Sequence, residues 1–266
     1  MHMCSNQRIR RVFLAIALLG FQWSADASIM LSGTRVILRE TDREAALPMK
    51  NYGTSPYVVQ AWIDGGEGKN KVPLLVTPPL SRLDPGKENI LRVMRMGGEL
   101  PSDRESVFWI NVREIPQKAT EENVLQIAIQ NRLKVFYRPT GLEGTAARAR
   151  AQLKWVVSPG AQGQGPVLRI ANPTGYHITL LQLDINNGQQ VIDPGMVPPF
   201  GELSYPLKAI KTPQAVQVNF MTINDYGAAT PEESVKVPEG AEPVAIQAEV
   251  VPKKKPETPA ANGGGR

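Results

Sequence analysis

Cysteine and histidine are nearly missing from this chain. Its 266 residues include one cysteine, Cys4, and two histidines, His2 and His177. Cys4 and His2 lie at the very start, ahead of a short apolar run from Val12 to Phe21. Arg8, Arg10 and Arg11 precede that run, and Ala25-Asp26-Ala27 follows it. A charged start, an apolar middle and a small-x-small ending mark a secretory signal, too short to serve as a membrane anchor. Cleavage after Ala27 is expected, with Ser28 as the first mature residue, and it removes the only cysteine. Cys4 precedes the apolar run, where it is not placed for lipid attachment. An exported chain without disulfides must be held by its core, which two domains of roughly a hundred residues can supply. Zinc sites built on Cys and His, and Cys–His nucleophiles, are excluded from the mature part. No metal and no cofactor is expected.

Other absences narrow the class further. The formal net charge is +5, and the leader takes Arg8, Arg10, Arg11 and Asp26 with it. The remainder is too mildly basic to imply nucleic acid, and stable membrane insertion is not expected. Gly65-Gly66-Glu67-Gly68-Lys69-Asn70 is rich in glycine, but no Gly-Lys-Ser/Thr follows, so it reads as a hairpin-like loop and not a phosphate loop. His177 has no Gly-x-Ser-x-Gly elbow to serve, and no carboxylate pairing is signalled. An enzyme is not expected.

What is present is β patterning. Short alternating or apolar stretches recur around Val36–Leu38, Ala45–Lys50, Tyr57–Ile63, Asn89–Met94 and Glu105–Val112, with Arg113-Glu114-Ile115-Pro116 closing the last. Leu83-Asp84-Pro85-Gly86 sets Pro and Gly for a type II turn. After a joint at Pro139-Thr140-Gly141 come Ala149–Val157, Val167–Ala171, His177–Asn186, Glu202–Leu207 and Ala215–Asn224. Frequent strands, frequent Pro and Gly, and no convincing helical period predict an all-β chain of antiparallel sandwiches. Ile192-Asp193-Pro194-Gly195 echoes the earlier turn and hints at two similar sandwiches in tandem. The expected division is a leader (1–27), a first sandwich (28–140), a second (141–251) and a disordered Lys/Pro/Gly-rich tail (252–266).

One stretch stands out. From Asn123 to Pro139 the residues Leu125, Ile127, Ile129, Leu133, Val135 and Tyr137 alternate with Gln126, Ala128, Gln130, Arg132 and Lys134. Apolar residues at period two predict a strand, far longer than the usual five or six residues or so. Its apolar face either packs on its own core or is offered elsewhere.

Laid out in order, these residues resemble the PapD-like family of periplasmic pilus chaperones. The likeness rests on Gly33-Thr34-Arg35, Tyr57 to Trp62, Thr77 to Gly86, Asp103 to Ser106, Phe108 to Pro116, and Asn123 to Pro139, with Ile223 to Gly227 in the second half. It implies two immunoglobulin-like β-sandwich domains set at an angle with a cleft between them. It also implies a periplasmic chaperone that binds, folds and caps pilus or fimbrial subunits and delivers them to an outer-membrane usher. Strand donation of this kind is a known mode of recognition, for which chaperone–pilin pairs are a standard example.

The resemblance assigns roles. Leu125, Ile127 and Ile129 match the donated edge strand that fills a subunit's open groove. Arg35 and Lys134 match the cations that anchor the subunit's C-terminal carboxylate. Glu105, Arg138 and Asp225 match an interdomain ion cluster. The short connection from Ile115 to Asn123 and the lack of mature cysteine fit the short-loop branch, which serves rod-like pili. When free, such a chaperone could cap its own edge in a homodimer. The competing expectation is a non-catalytic two-domain immunoglobulin-like surface or adhesion module.

Overall fold

The computed structural model describes residues 29–66, 72–118, 125–161 and 165–252. The leader, most of the Gly65–Asn70 loop, the 119–124 part of the short connection and the tail after Pro252 lie outside them.

The first half forms nine strands: β1 (Ile29–Leu31), β2 (Arg35–Arg39), β3 (Ala45–Asn51), β4 (Tyr57–Asp64), β5 (Leu74–Thr77), β6 (Leu80–Leu83), β7 (Glu88–Arg95), β8 (Ser106–Pro116) and β9 (Gln130–Arg138). They make two sheets, in the orders β1-β3-β7-β5 and β2-β9-β8-β4-β6. Alternation decides which side chains go inward. In β3, Ala45, Leu47, Met49 and Asn51 are buried and the residues between them are not. Leu47, Leu91, Val93, Ile110, Val112, Leu133 and Val135 are among the side chains that fill the space between the sheets. β1 and β2 are nearly continuous in sequence yet belong to different sheets, so the chain changes sheets across Ser32–Thr34.

The second half carries β10 (Lys154–Ser158), β11 (Val167–Ala171), β12 (Ile178–Ile185), β13 (Gln190–Ile192), β14 (Gly195–Val197), β15 (Glu202–Pro206), β16 (Val216–Ile223), β17 (Glu233–Val237), β18 (Val244–Ala245) and β19 (Glu249–Val250). Its sheets run β15-β11-β10-β18 and β13-β12-β16-β17-β19, with β14 also on β12. A separate core lies between them, centred on Trp155, whose ring sits 5.0 Å from that of Phe220.

Three expectations change. Ala149–Val157 is not one strand: α1 (Ala146–Ala149) and a 3-10 turn (Arg150–Gln152) precede β10. Alanine is the best helix former, and a single turn is too short to show a helical period. β8 does not stop at Val112. It runs to Pro116 because β4 continues beside it, Tyr57 opposite Pro116, and proline is tolerated at a strand's end. The two Asp-Pro-Gly turns are not equivalent. The first closes with Lys87 N–H on the Asp84 carbonyl at 3.0 Å and links two sheets, with Gly86 at φ 70° as a type II turn needs. The second joins β13 and β14 on the same edge of β12.

A closer echo between the halves is a buried asparagine. Asn51 at the end of β3 donates Nδ2 to the carbonyls of Ser55 (2.8 Å) and Leu83 (3.0 Å), and its Oδ1 accepts the Gly53 N–H. Asn172, just after β11, donates to the carbonyls of Tyr176 and Pro198 and accepts from Thr174 N–H. Each ties the turn that follows it to a distant segment.

The strand most relevant to function is β9. On one side β8 accompanies it from Gln130 to Tyr137. On the other, parallel β2 accompanies only Lys134–Arg138. Residues 125–129 form no strand, so the overlong strand of the sequence is a nine-residue strand with a lead-in outside the sheet. The physical cause is a shortage of partners, since β8 holds the lead-in by one backbone bond, Glu114 N–H to the Ile129 carbonyl at 2.9 Å. Among the described residues, no helix is long and apolar enough to cross a membrane.

Asn51→Ala should lower the stability of the first sandwich by about 3 kcal/mol, because it strands two buried carbonyls and an amide. Denaturant unfolding followed by fluorescence checks this; the second sandwich's transition should not move.

Candidate functional site

The alternating face of 125–137 divides in two. Leu133, Val135 and Tyr137 belong to the first core. Leu125, Ile127 and Ile129, on the same face by period, are 88%, 71% and 47% exposed. The sandwich simply ends beneath them.

The division falls beside Lys134. Arg35, the first residue of β2, is its register partner, so two cations meet where the second ladder on β9 begins. Arg35 reaches toward the second sandwich, donating Nη1 to the Ile223 carbonyl at 3.4 Å, and its guanidinium lies 5.8 Å from the Phe136 ring centroid. Its Nε is buried without a hydrogen-bond partner. Burial lowers the Arg35 pKa, against the opposing pull of Asp225 and Glu105. Burial, and then the neighbouring Arg35, also lower that of Lys134. Two half-buried cations that repel each other are costly to keep. Among the described residues neither makes a salt bridge.

Glu105, Arg138 and Asp225 do come together. Arg138 donates Nε to Glu105 Oε1 at 2.6 Å, and its two terminal nitrogens to both oxygens of Asp225 at 2.8 and 2.9 Å. The first pair lies within the first sandwich, and the second pair crosses to the second. Burial works against the Arg138 charge, but the bonds and charges of Asp225 and Glu105 win and raise its pKa. Burial would likewise push Asp225 up, yet Arg138 holds it below the ordinary carboxylate value.

A fourth member was missed. His177 donates its backbone N–H to Glu105 Oε2 at 2.7 Å, with ring Nδ1 3.3 Å from the same oxygen, and its ring is 5.5 Å from Phe136. The sequence offered a signal, since a lone histidine had no other task, but nothing paired it with a residue 72 positions away. Gly227 adds a close approach. It sits at φ 82°, and a Cβ there would fall 2.2 Å from the Thr34 hydroxyl, so only glycine lets the Asn224–Gly227 turn seat against the first sandwich. Between the halves lies a cleft of about 450 Å³, lined by Arg35, Phe136, His177, Thr179, Ile223 and Asp225 among others. Among the described residues no group of acidic, histidine or cysteine side chains could hold a metal ion.

This arrangement can grip an anion between two cations and offer an apolar, half-paired strand next to it. Comparisons with known proteins identify both halves of the chain. The family model described as the pili and flagellar-assembly chaperone PapD N-terminal domain matches residues 28–143, and that of the PapD C-terminal domain matches 148–234. The chain is 39% identical over 221 residues to the probable fimbrial chaperone LpfB of Escherichia coli, covering 82% of this chain and 92% of that one. It is 41% identical over 225 residues to the chaperone protein FimB/FhaD of Bordetella pertussis, covering 79% and 89%. The crystal structure of the YadV chaperone superposes with a TM-score of 0.67 at 34% identity, over 79% of this chain and 100% of that one. A chain of the Salmonella enterica SafA pilin–SafB chaperone complex gives 0.68 at 26% identity, over 79% and 96%. The protein belongs to the PapD-like family of periplasmic pilus-assembly chaperones, built as two tandem β-sandwiches. It is a chaperone and not an enzyme.

The joint should be asymmetric. Arg138→Ala leaves Glu105, whose side chain is 1% exposed, as an uncompensated buried carboxylate, and should cost about 3–5 kcal/mol. Asp225 is 36% exposed, so Asp225→Asn should cost about 1 kcal/mol or less. Because the Asp225 pKa is lowered by folding, its contribution is complete above the ordinary value of 3.8 and is lost as pH falls through the lowered value. Urea titrations of both variants at neutral pH, and of the wild type under increasing acid, check these signs.

Proposed function

We propose that this chaperone completes pilus subunits by lending them the edge strand that carries Leu125, Ile127 and Ile129, with Arg35 and Lys134 holding the subunit's C-terminal carboxylate, and passes them to an outer-membrane usher. The observation that carries the reading is the placement of Arg35 opposite Lys134, at the point where β9 loses its second neighbour. β2 runs parallel to β9. A guest strand laid along the open edge in the same direction ends where β2 begins, so its terminal carboxylate meets the two cations. A guest running the other way would bring an ammonium there and be repelled. The cations therefore select direction, and by fixing the end they fix register, which matters because a one-residue slip reverses every side chain.

The energetics suit a temporary loan. Burying Leu125, Ile127 and Ile129 contributes about 1.5–3 kcal/mol each, on the order of 4–9 kcal/mol together before ordering costs. Each charge-assisted bond at the carboxylate adds about 1.5–3 kcal/mol. An apolar edge kept open is an aggregation hazard, which a passive adhesion module has no reason to retain. Relatives in complex with pilin support the partner, as in the SafA–SafB pair. The ion cluster of Glu105, Arg138 and Asp225 sets the angle between sandwiches. The division proposed is a cleaved leader 1–27, sandwiches 28–140 and 141–251, and a tail 252–266. Free chaperone can cover its own edge by pairing with a second copy.

Arg35→Ala and Lys134→Ala should each fold normally yet recover no subunit from the periplasm; normal subunit levels in both would remove the anchor. Ile127→Asp should weaken capture with little change in the free protein's melting temperature, whereas a marked loss of melting temperature would mean that Ile127 serves its own core. Lys134 also predicts a pH effect. Its charge is disfavoured in the free protein and favoured beside a carboxylate, so binding takes up protons once pH exceeds the lowered value. Affinity should decline there, measurable by titration calorimetry in buffers of different ionisation enthalpy.

A further inference from the structure

Phe200 has a backbone that its side chain does not favour. Its φ is 51°, in the left-handed region where a bulky residue is strained and glycine or asparagine is usual. Asn186 and Asn187 are the other non-glycine residues with positive φ among the described residues, and asparagine tolerates it. If the Pro198–Gly201 turn needed only to reverse the chain, glycine would serve at position 200 without strain. The ring is not in the core of the second sandwich. It is 52% exposed, and the guanidinium of Arg104, from the first sandwich, lies 5.0 Å from its centroid.

Both partners are held from behind. Arg104 is fixed by Asp103, Nε to Oδ1 at 3.0 Å and Nη2 to Oδ2 at 2.7 Å. The turn bearing Phe200 is fixed by Phe200 N–H to the Thr174 carbonyl at 3.1 Å, Asn172 N–H to the Gly201 carbonyl at 2.8 Å, and Asn172 Nδ2 to the Pro198 carbonyl at 3.0 Å. The Arg104 segment also touches, through its backbone, the Asn172–His177 loop to which the Phe200 turn is bonded. Glu105 N–H donates to the Gly175 carbonyl at 2.8 Å, and a Cβ on Gly175 would lie 2.8 Å from the Asp103 carbonyl oxygen.

We propose that Phe200 is a positioning residue: its strained turn aims the ring at Arg104 to make a second clamp between the sandwiches, independent of the Arg138 cluster. A single ionic pivot leaves rotation about itself. Arg104 and Glu105 are consecutive, and the second sandwich engages each with a different loop, Phe200 on one and His177 on the other. Together with the close approach of Gly227 to Thr34, these points fix an orientation. Orientation matters at the cleft because Arg35 donates to the Ile223 carbonyl of the second sandwich, so a loosened joint reduces the fraction of molecules with the anchor in place. Strain of this type persists only where surrounding structure over-determines it and gathers at functional places.

The deciding readout uses free mature chaperone, so it does not depend on the carboxylate reading. Residual dipolar couplings of weakly aligned protein are measured for the wild type, Phe200→Tyr, Phe200→Gly and Arg104→Ala. One alignment tensor should describe both sandwiches in the wild type and in Phe200→Tyr. Phe200→Gly and Arg104→Ala should require two tensors of different magnitude, and subunit capture should weaken by about two- to five-fold in each, the size of one exposed cation–π contact. Phe200→Gly, relieved of strain, should not lower the melting temperature of the second sandwich. A single shared tensor in both variants would overturn the clamp. So would a lower melting temperature for Phe200→Gly with the shared tensor kept, because the ring would then serve its own domain.

Discussion

The rest of the structure depends on an inequality along β9: β8 accompanies it from Gln130, and β2 joins the opposite side only from Lys134. Everything upstream on that side is an open ladder, and upstream of Gln130 the apolar face has no core beneath it. The same alternation therefore gives Leu133, Val135 and Tyr137 to the protein's own interior and leaves Leu125, Ile127 and Ile129 in water. Had β2 begun a few residues earlier, the edge would be closed, and the cations would sit beside a completed sheet.

The cost of this design is carried where the two sandwiches meet. Arg35 is half-buried with an unsatisfied Nε and a lysine for a neighbour, a state that stability alone does not favour. It persists because the surroundings are fixed. Phe136 lies beneath it, Ile223 accepts a bond from it, and the Glu105–Arg138–Asp225 cluster with His177 locks the adjacent joint. Arg138 spans both halves because its planar fork satisfies two carboxylates at once, which a lysine could not match. Three cations, Arg138, Arg35 and Lys134, face two carboxylates, Glu105 and Asp225, and the excess of one positive charge is suited to a single incoming carboxylate.

Much of this was legible in the sequence because period two is a strong signal when strands are long. β3, β4, β7, β11, β12 and β16 lie close to where alternation put them, and the Pro-Gly turn at Asp84 formed as its chemistry requires. Short strands escaped: β5, β6, β13 and β14 are too brief to show a period, and β17 to β19 follow a loop with no marked signal. The helix at Ala146 was hidden for the same reason. Arg35, Lys134 and the ion cluster were named through resemblance, since residues this far apart carry no local sign of contact. Phe200 was out of reach, and His177 showed only as a lone histidine with nothing to pair it. Their parts come from where a backbone turn points, which only the folded chain specifies.

Amide hydrogen exchange across 125–133, in free chaperone and in a stoichiometric complex with a pilus subunit, tests the strand loan most directly. The account predicts rapid exchange in the free protein upstream of Gln130. In the complex it predicts strong protection at alternate amides through this stretch, as a newly formed parallel ladder requires. Unchanged exchange from Leu125 to Leu133 in a fully bound complex would contradict it.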